Sequence, residues 1–316
     1  MRQPDLYGMI AECIGYHATE LGFFPCGHIT ALGCAQPFFK LQYQRLLHPL
    51  SSKFFMVNSQ LVPLPALSDN YIWVLHNQHT AIVVDPGEAS GVEQYLEHHG
   101  LTLKAILLTH HHGDHVGGAK RLNEATGAPV YGPASERLPI CHHRLREGDT
   151  VQLPDFGLVL SVLDVPGHTA GHIALHGRPA NGEYVVFCGD TLFAAGCGRL
   201  FEGTPEQMLA SLRKLASLPS DTQVCCAHEY TVSNLRWALS VEPGNEALQE
   251  RMEDAGRLRE QGLPTLPSTL LLELETNPFL RTGIPAVASS AAAHAGRQPT
   301  SEVETFAQLR EWKNNF

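Results

Sequence analysis

The sequence contains no apolar run of 18 residues, and no basic start followed by an apolar core and a cleavage site. A membrane-spanning helix needs about 20 apolar residues, and a secretory signal needs that order of segments, so neither is predicted. The eight cysteines include no CxxC pair and no regular spacing, which is typical of a reducing cytosol rather than a disulfide scaffold. We therefore expect a cytoplasmic protein.

Positive charge is also scarce, because 22 Lys and Arg residues face 32 Asp and Glu residues, for a formal net charge of −10. Binding to nucleic acid or to an acidic membrane needs an extended basic surface, so neither partner is expected. A local cationic pocket for a small anion stays open. The length and the 43% of hydrophobic residues fit a globular protein with one large core or two domains.

Histidine, in contrast, is abundant, with 18 residues, and it is the commonest metal ligand in proteins. The run at 109–115 places His110, His112, Asp114 and His115 directly after an apolar, strand-like segment. Alternate side chains of an extended segment share a face, so His110 and His112 can bind one ion together. Imidazoles beside a carboxylate suit zinc, iron or manganese better than calcium or magnesium.

Three further polar residues follow strand-like runs in the same way, namely His168, Asp190 and His228. Ligands in α/β proteins bind at the carboxyl ends of the strands, so these side chains are candidates for the same site. A single histidine after a strand is more often structural. Three such positions together with the run at 109–115 favour a metal site.

Met56 divides the chain into two parts of different character. Residues 1–55 carry few charges and no sustained period, and we interpret them as an N-terminal appendage of uncertain structure, with a targeting arm as the alternative. From 56 to 228 strand and helix patterns alternate, which predicts an α/β domain. Residues 229–316 are predominantly helical in pattern, and Ala286–Ala295 is expected to be an exposed connector.

The predicted elements follow from period-2 and period-3.6 patterns and from capping signals. The strands are expected at Gln60–Leu64, Tyr71–Leu75, Ala81–Asp85, Ala105–Thr109, Leu158–Val165, Tyr184–Cys188 and Gln223–Ala227. The helices are expected at Gly91–His98, Gly118–Thr126, Pro205–Ala216, Asn234–Val241, Glu246–Glu260 and Phe306–Trp312. Thr204 and Gln207 are expected to form a capping box before the third helix.

The stretches THHHGDH, PGHT, GDT and AHEY resemble those of the metallo-β-lactamase superfamily over residues 56–316. Within it, the chain is most similar to the hydroxyacylglutathione hydrolase (glyoxalase II) family. The stretches that carry this closer resemblance are Asp69-Asn70-Tyr71, Asp85-Pro86-Gly87-Glu88, the run 196–204, His228-Glu229-Tyr230-Thr231, Asn277-Pro278-Phe279 and the pair Arg310 and Lys313. The resemblance implies an αββα sandwich followed by a smaller α-helical C-terminal domain.

The resemblance also implies two divalent metal ions per chain, zinc being favoured over iron and manganese. Its first ion would bind His110, His112 and His168, and its second would bind Asp114, His115 and His228, with Asp190 bridging both. Asp114 and Asp190 would therefore be the catalytic carboxylates. His111 would point away, and His172 would be structural or would support a ligand. Asp85 either orients a ligand imidazole or caps its strand.

Glutathione would bind where the two domains meet. Arg310 and Lys313 would pair with its glycine carboxylate, while Tyr230, Phe201 and the backbone near Arg199 would hold the peptide. Arg and Lys three residues apart share a helix face and can bind one anion, although a solvated helix end is the alternative interpretation. Some relatives carry Lys and Tyr where this chain has Arg199 and Phe201, so a hydroxyl is missing at 201.

The activity implied is hydrolysis of S-(2-hydroxyacyl)glutathione, and S-D-lactoylglutathione from methylglyoxal detoxification is the expected case. Two metals would supply a bridging hydroxide and stabilise the oxyanion. A persulfide dioxygenase is the nearest rival, and it would need one iron on His110, His168 and Asp190. A β-lactamase and a binding protein that has lost turnover are further alternatives. We expect a monomer.

Overall fold

A computed structural model describes residues 59–180 and 182–316. The predicted appendage at 1–55 lies outside the described residues. Within the described ranges, no helix is both long enough and apolar enough to cross a membrane.

The first sheet has six strands in the order β1-β2-β3-β4-β5-β6. They span β1 Gln60–Ala66, β2 Asn70–His76, β3 Thr80–Val84, β4 Thr102–Leu107, β5 Val130–Pro133 and β6 His143–Leu145. The first three strands pair antiparallel, and the pairs from β3 to β6 are parallel. Parallel neighbouring strands have their carboxyl ends at the same edge of the sheet. The histidine-rich run at 109–115 begins at this edge, directly after β4.

The second sheet also has six strands, in the order β14-β13-β10-β9-β8-β7, and a two-stranded hairpin follows β10. These strands are β7 Thr150–Leu153, β8 Leu158–Asp164, β9 Ile173–Gly177, β10 Val185–Gly189, β11 Leu192–Phe193, β12 Gly196–Cys197, β13 Gln223–Cys226 and β14 Ser268–Thr269. All seven predicted strands are present, with ends shifted by up to three residues. The seven that sequence patterns missed are mostly two to four residues long.

Strand β2 shows how the layers are built, because its successive side chains enter different cores. Tyr71, Trp73 and Leu75 belong to the large core that also contains the strands of the second sheet. Ile72 and Val74 belong to a smaller core shared with the helices on the outer face of the first sheet. All five are buried, so both faces of β2 are covered. The two sheets therefore pack together with helices outside them, which confirms the predicted αββα sandwich.

The helices are α1 Ser90–His99, α2 Gly113–Val116, α3 Ala119–Thr126, α4 Pro205–Ala216, α5 Thr231–Val241, α6 Glu246–Glu260, α7 Leu270–Thr276, α8 Pro285–Ala295 and α9 Glu302–Asn314. Short 3-10 turns occupy Pro154–Phe156 and Pro278–Leu280. The expected capping box at α4 is confirmed, since Thr204 and Gln207 exchange side-chain and backbone hydrogen bonds. Helices α5 to α9 form the predicted helical C-terminal region.

The expected connector at Ala286–Ala295 is wrong, because these residues form α8. Pro285 occupies the first helical position, and Gly296 ends the helix with a φ of 69°. Alanine has the highest intrinsic helix propensity, and its small side chain allows close packing. Val287, Ala291 and Ala292 are buried, and α8 packs against α9. Tertiary packing of an Ala-rich face thus replaces the expected loop.

Candidate metal centre

The donor side chains come from loops that follow four strands. His110, His112, Asp114 and His115 follow β4, His168 follows β8, Asp190 follows β10 and His228 follows β13. The structure brings all seven together, although they lie more than 100 residues apart in the sequence at the extremes. The edge of the sandwich where these strands end therefore carries the site.

Three histidines form the first donor group. His112 Nδ1 lies 3.1 Å from His110 Nε2 and 3.0 Å from His168 Nε2. His110 and His168 are buried, and His112 is partly exposed. Three ring nitrogens that face one another at this distance, in the protein interior, have the arrangement expected of ligands to a single ion.

A carboxylate and two histidines form the second donor group. Asp114 Oδ2 lies 3.6 Å from His115 Nε2 and 3.4 Å from His228 Nε2. Asn70 fixes this carboxylate by donating from Nδ2 to its Oδ2 at 3.2 Å. Both imidazoles are buried, whereas the Asp114 side chain is 39% exposed and forms the open side of the group.

Asp190 lies between the two groups and offers one oxygen to each. Its Oδ2 is 3.3 Å from His168 Nε2, and its Oδ1 is 3.4 Å from both His115 Nε2 and His228 Nε2. This is the geometry of a bridging carboxylate.

The donor sets fit metal ions by two observations. A tetrahedral ion with bonds of about 2.0–2.1 Å separates its ligand atoms by about 3.3 Å, close to the donor separations found here. Among the described residues, His115 Nε2 and Asp190 Oδ1 are also buried without a hydrogen-bond partner. Buried polar atoms are almost always satisfied, so these two call for a partner such as a cation. The site has the ligands of a binuclear metal centre.

The two donor groups differ in the protonation of their imidazoles. Burial lowers the pKa of His110, His112 and His168, so these imidazoles are neutral and their nitrogens can accept a metal. Burial also acts against charge on His228, but the carboxylates of Asp114, Asp190 and Asp69 outweigh it and raise its pKa to about 10. The second group therefore holds its protons until a cation replaces them.

Each ligand imidazole that presents Nε2 is oriented through Nδ1. His115 Nδ1 donates to Asp85 at 3.1 Å, and His228 Nδ1 donates to Asp69 at 2.7 Å. His168 Nδ1 donates to the Arg199 carbonyl oxygen at 2.9 Å. Such bonds fix the tautomer and leave Nε2 free to bind metal.

Asp85 orients an imidazole and also holds the end of the neighbouring strand β4. It follows β3 with a φ of 52°, a left-handed conformation that Asp tolerates. Its carboxylate accepts from Thr109 N at 2.8 Å and from Thr109 Oγ1 at 2.7 Å, as well as from His115. It thus caps the end of β4 and orients an imidazole at the same time.

His172 holds the main chain of Asp190. Its Nδ1 donates to the carbonyl oxygen of Ile173 at 3.0 Å, and its Nε2 accepts the Asp190 backbone N–H at 3.1 Å. Burial lowers the pKa of this imidazole to about 3, so it stays neutral and keeps Nε2 as an acceptor. Gly189 precedes Asp190 with a φ of 46°, and a Cβ there would lie 2.3 Å from Thr109 Oγ1. A side chain at position 189 would therefore clash with Thr109, so glycine is required there.

His111 lies outside both donor groups, as expected. Its side chain contacts the carboxylates of Glu136 and Glu202, the latter at 3.6 Å from Nε2. Glu136 is a buried carboxylate that sequence reasoning missed, and it also accepts from Thr169 Oγ1 at 2.6 Å and from Gly171 N at 3.0 Å.

The segment 193–197, directly after the bridging carboxylate, is held by the helical region. The side chains that bond its main chain are Asn234, Glu273, Asn277 and Arg310. At the next residue, Gly198, a Cβ would lie 2.0 Å from the Asp190 carbonyl oxygen, so the loop folds tightly over the site. The helical region therefore fixes the position of the segment from which the loop beginning at residue 198 extends.

Two aromatic residues expected to bind substrate flank the donor groups. Phe201 is 64% exposed, and its ring centroid lies 5.3 Å from that of His168 and 5.7 Å from that of His112. Tyr230 is 36% exposed and stacks on His228 with centroids 4.7 Å apart. One ring thus borders each group at the solvent-facing side.

Arg199, Arg310 and Lys313 form a group of three cations, which we call the cation cluster. Burial, together with the positive charges of Arg310 and Arg199, lowers the pKa of Lys313 to about 8. Within the part of the chain that is described, none of the three has an ion-pair partner. A cluster of one sign without a carboxylate is prepared for an anionic ligand.

Within this cluster the two helix residues differ more than their spacing suggests. Arg310 is 5% exposed, and its Nη1 donates to the Cys197 carbonyl oxygen at 2.8 Å. Its guanidinium also lies 5.0 Å from the ring centroid of Phe279. Lys313 is partly exposed, with its ammonium 5.9 Å from the ring centroid of Trp237. Arg310 is therefore hydrogen-bonded to the loop, and the Lys313 ammonium is the more accessible of the two charges for an anionic ligand.

Two family models match the chain. Residues 67–228 match the metallo-beta-lactamase superfamily, and residues 229–316 match the C-terminus of hydroxyacylglutathione hydrolase.

Curated proteins named hydroxyacylglutathione hydrolase are similar over almost their whole length. The protein of Nitrosomonas europaea is 53% identical over 261 residues, covering 83% of this chain and 97% of that protein. The protein of Albidiferax ferrireducens is 55% identical, covering 81% and 100%, and that of Pseudomonas aeruginosa strain LESB58 is 54% identical, covering 81% and 99%.

Solved structures share the fold. The BLEG-1 B3 metallo-beta-lactamase aligns with a TM-score of 0.50 at 24% identity, covering 71% of this chain and 99% of that one. A metallo-beta-lactamase from Staphylococcus aureus aligns with a TM-score of 0.52 at 20% identity, covering 77% and 69%.

The sandwich and the paired donor groups at its edge are those of the metallo-β-lactamase superfamily, to which the catalytic part of the chain belongs. The family-model match of the helical region and the relatives at 51–55% identity identify the family within this superfamily. The chain belongs to the hydroxyacylglutathione hydrolase family.

Sequence reasoning missed the functions of Asp69, Asn70 and Glu136. Asp69 and Asn70 were noted only as part of a family stretch, whereas their side chains bond His228 and Asp114. Their position directly before a strand was the available signal. Glu136 lies in a loop without any strand or ligand pattern, so nothing in the sequence singled it out.

Proposed function

We propose that the chain hydrolyses S-(2-hydroxyacyl)glutathione to glutathione and a 2-hydroxy acid, with S-D-lactoylglutathione and D-lactate as the natural pair. The observation that carries the proposal is the shared carboxylate of Asp190, which joins a three-histidine group to a second complete group. The family membership and the cation cluster beside the site support the same reaction. The detoxification of methylglyoxal is the corresponding role.

His110, His112, His168 and Asp190 would hold one metal, and Asp114, His115, His228 and Asp190 would hold the other. Zinc is the proposed metal, because three imidazoles with a carboxylate are a common zinc set, and iron and manganese are the alternatives. Two such ions, when bound, provide a water of lowered pKa and polarise the substrate carbonyl.

The chain's own residues would position this chemistry. Asp69, Asp85 and the Arg199 carbonyl accept the Nδ1 protons, so the corresponding Nε2 atoms stay directed at the site. Asp114 is the only partly exposed carboxylate of the two groups, and it would orient the nucleophile while ligating. The leaving thiolate has a conjugate acid with a pKa near 8.5, so little general acid catalysis is required.

The glutathione moiety would bind beside the cation cluster. Lys313 and Arg310 would attract the glycine carboxylate, and Arg199 would add charge from the loop. Tyr230 and Phe201 would contact the peptide through their exposed ring surfaces. Phe201 has no hydroxyl, so its contribution is apolar contact alone.

Several finer expectations belong with this proposal. The catalytic domain would span 56–228, and the helical domain would span 229–316. The protein would act as a monomer in the cytoplasm, without nucleic acid or membrane partners.

The test is an assay of purified protein with its metal content determined. Loss of the thioester absorbance of S-D-lactoylglutathione, with about two metals per chain, is the expected result. A persulfide dioxygenase would instead bind one iron and consume oxygen with glutathione persulfide. The complete second donor group of Asp114, His115 and His228 is the observation against that alternative.

A further inference from the structure

We propose that Glu136 is a positioning residue that sets the distance between the two loops of the three-histidine group. Glu136 lies in the loop between β5 and β6 and belongs to neither donor group of the proposed site. Its side chain is 2% exposed. The inference rests on the proposed function, because it concerns the first metal of that site.

Each carboxylate oxygen of Glu136 serves one loop. Oε2 accepts from the backbone N–H of His111 at 3.1 Å and also contacts His111 Nδ1. Oε1 accepts from Thr169 Oγ1 at 2.6 Å and from Gly171 N at 3.0 Å. The two oxygens of one rigid carboxylate therefore connect the loop after β4 with the loop after β8.

The residues held by Glu136 are direct neighbours of the donors. His111 lies between His110 and His112, and Thr169 follows His168. The donor nitrogens across this gap are only 3.0 Å apart, between His112 and His168. A small change in loop separation would therefore change the ligand spacing directly.

The contact is close-packed as well as polar. A Cβ at Gly171 would lie 3.0 Å from Glu136 Cγ, so the second loop packs closely against the Glu136 side chain. Within the described residues, no Lys or Arg pairs with the carboxylate of Glu136. Its charge is instead balanced by donors from the two loops, and replacement of an oxygen by an amide would leave one loop without an acceptor.

The second donor group does not depend on Glu136. Asp114 is held by Asn70, and His115 and His228 are held by Asp85 and Asp69. Glu136→Gln should therefore weaken metal binding selectively at the first group, by about 10- to 100-fold, the range typical when a residue supporting ligands is replaced.

The experiment is a zinc titration of metal-free protein in competition with a chromophoric chelator, for wild type and Glu136→Gln. We expect one zinc to bind with wild-type affinity and the other to bind at least about tenfold more weakly. His112→Ala and His228→Ala mark the patterns for damage to the first and the second group. Glu136→Gln should resemble the former, with a lower kcat and an unchanged KM.

Glu242 provides a matched control, because it is also a buried carboxylate but pairs with Arg281 away from the donor loops. Glu242→Gln should lower stability while both zinc affinities stay at wild-type values. Wild-type affinity for both ions in Glu136→Gln would overturn the inference. So would an equal loss at both groups that tracks the loss of stability.

Thr169 supplies a test that does not require Glu136→Gln to fold. Thr169→Val removes the hydroxyl that donates to Oε1, and Thr169→Ser retains it. We expect Thr169→Val to lower the zinc affinity of the first donor group and Thr169→Ser to keep it at the wild-type value. Equal zinc affinities for the two variants would refute a role for the Thr169 hydroxyl. If wild type itself binds fewer than two metals and leaves the thioester intact, the proposed function fails, which is a different result.

Discussion

Lys313 provides the sharpest test of where the anionic end of the substrate binds. It lies on α9, is partly exposed and has no carboxylate partner among the described residues, whereas Arg310 is buried against the Cys197 carbonyl. Arg310→Ala would disturb the loop as well as the charge. Lys313→Gln removes the charge while retaining much of the side-chain volume, so its effect reports on binding alone.

The expected magnitude follows from the environment of the ammonium group. Two charges about 4 Å apart interact with about 1 kcal/mol in water and about 4 kcal/mol near a protein surface. A charge-assisted hydrogen bond contributes about 1.5–3 kcal/mol, which lies between these limits. Since 1.4 kcal/mol corresponds to a factor of ten, Lys313→Gln should raise KM about 10- to 100-fold.

The assay is steady-state hydrolysis of S-D-lactoylglutathione with metal content measured in parallel. Lys313→Gln should leave both bound metals and most of kcat in place, because Lys313 belongs to neither donor group. Lys313→Arg, which retains the charge, should keep KM near the wild-type value. An unchanged KM in Lys313→Gln would refute the assignment of the cation cluster to the substrate carboxylate.

The pH dependence of the same residue gives an independent check. Burial and the two arginines lower the pKa of Lys313 to about 8, so the charge is present at neutral pH and is lost as the pH rises through 8. The ratio kcat/KM, which reports on the free enzyme, should fall across this range in wild type. Lys313→Arg should move that fall to higher pH, and identical profiles would count against the explanation.

Three further predictions concern metal binding and stability. Asp190→Ala should lose both metals together with activity, and a variant that keeps two metals would contradict the bridge. Leu67 is 56% exposed and has a φ of 52°, a left-handed conformation that Asn adopts at a lower energy cost than Leu. Leu67→Asn should therefore raise the free energy of unfolding in urea by about 1 kcal/mol. Glu273→Gln should lower it by about 3–5 kcal/mol, because Arg251 would lose its buried partner; a change below about 1 kcal/mol would show that the pair is dispensable.

Much of the sandwich was predictable because its long strands carry continuous or alternating apolar patterns and its helices have clear ends. β2 and β8 were found within one residue at each end, and α4 was found at both ends through its capping box. Short strands such as β5 and β6 were missed, because four or three residues carry no readable period. Their place in the sheet is determined by pairing with neighbours, which is not a local property.

The candidate site shows the same division. His110 and His168 were predictable because each follows a strand and because histidine is the commonest metal ligand in proteins. Asp69 and Glu136 were not, because a carboxylate in a loop becomes significant only when folding brings it to an imidazole or a backbone N–H distant in sequence. α8 was assigned to a loop because the Ala-rich pattern has no polar face, although packing against α9 stabilises it as a helix.

The bonds from the helical region to the segment 193–197 have a consequence for the order of events during synthesis. All seven proposed metal donors leave the ribosome before residue 229. Arg310, which bonds the Cys197 carbonyl, emerges far later. Both proposed donor groups are therefore complete in the nascent chain before the bond from α9 can fix the segment 193–197.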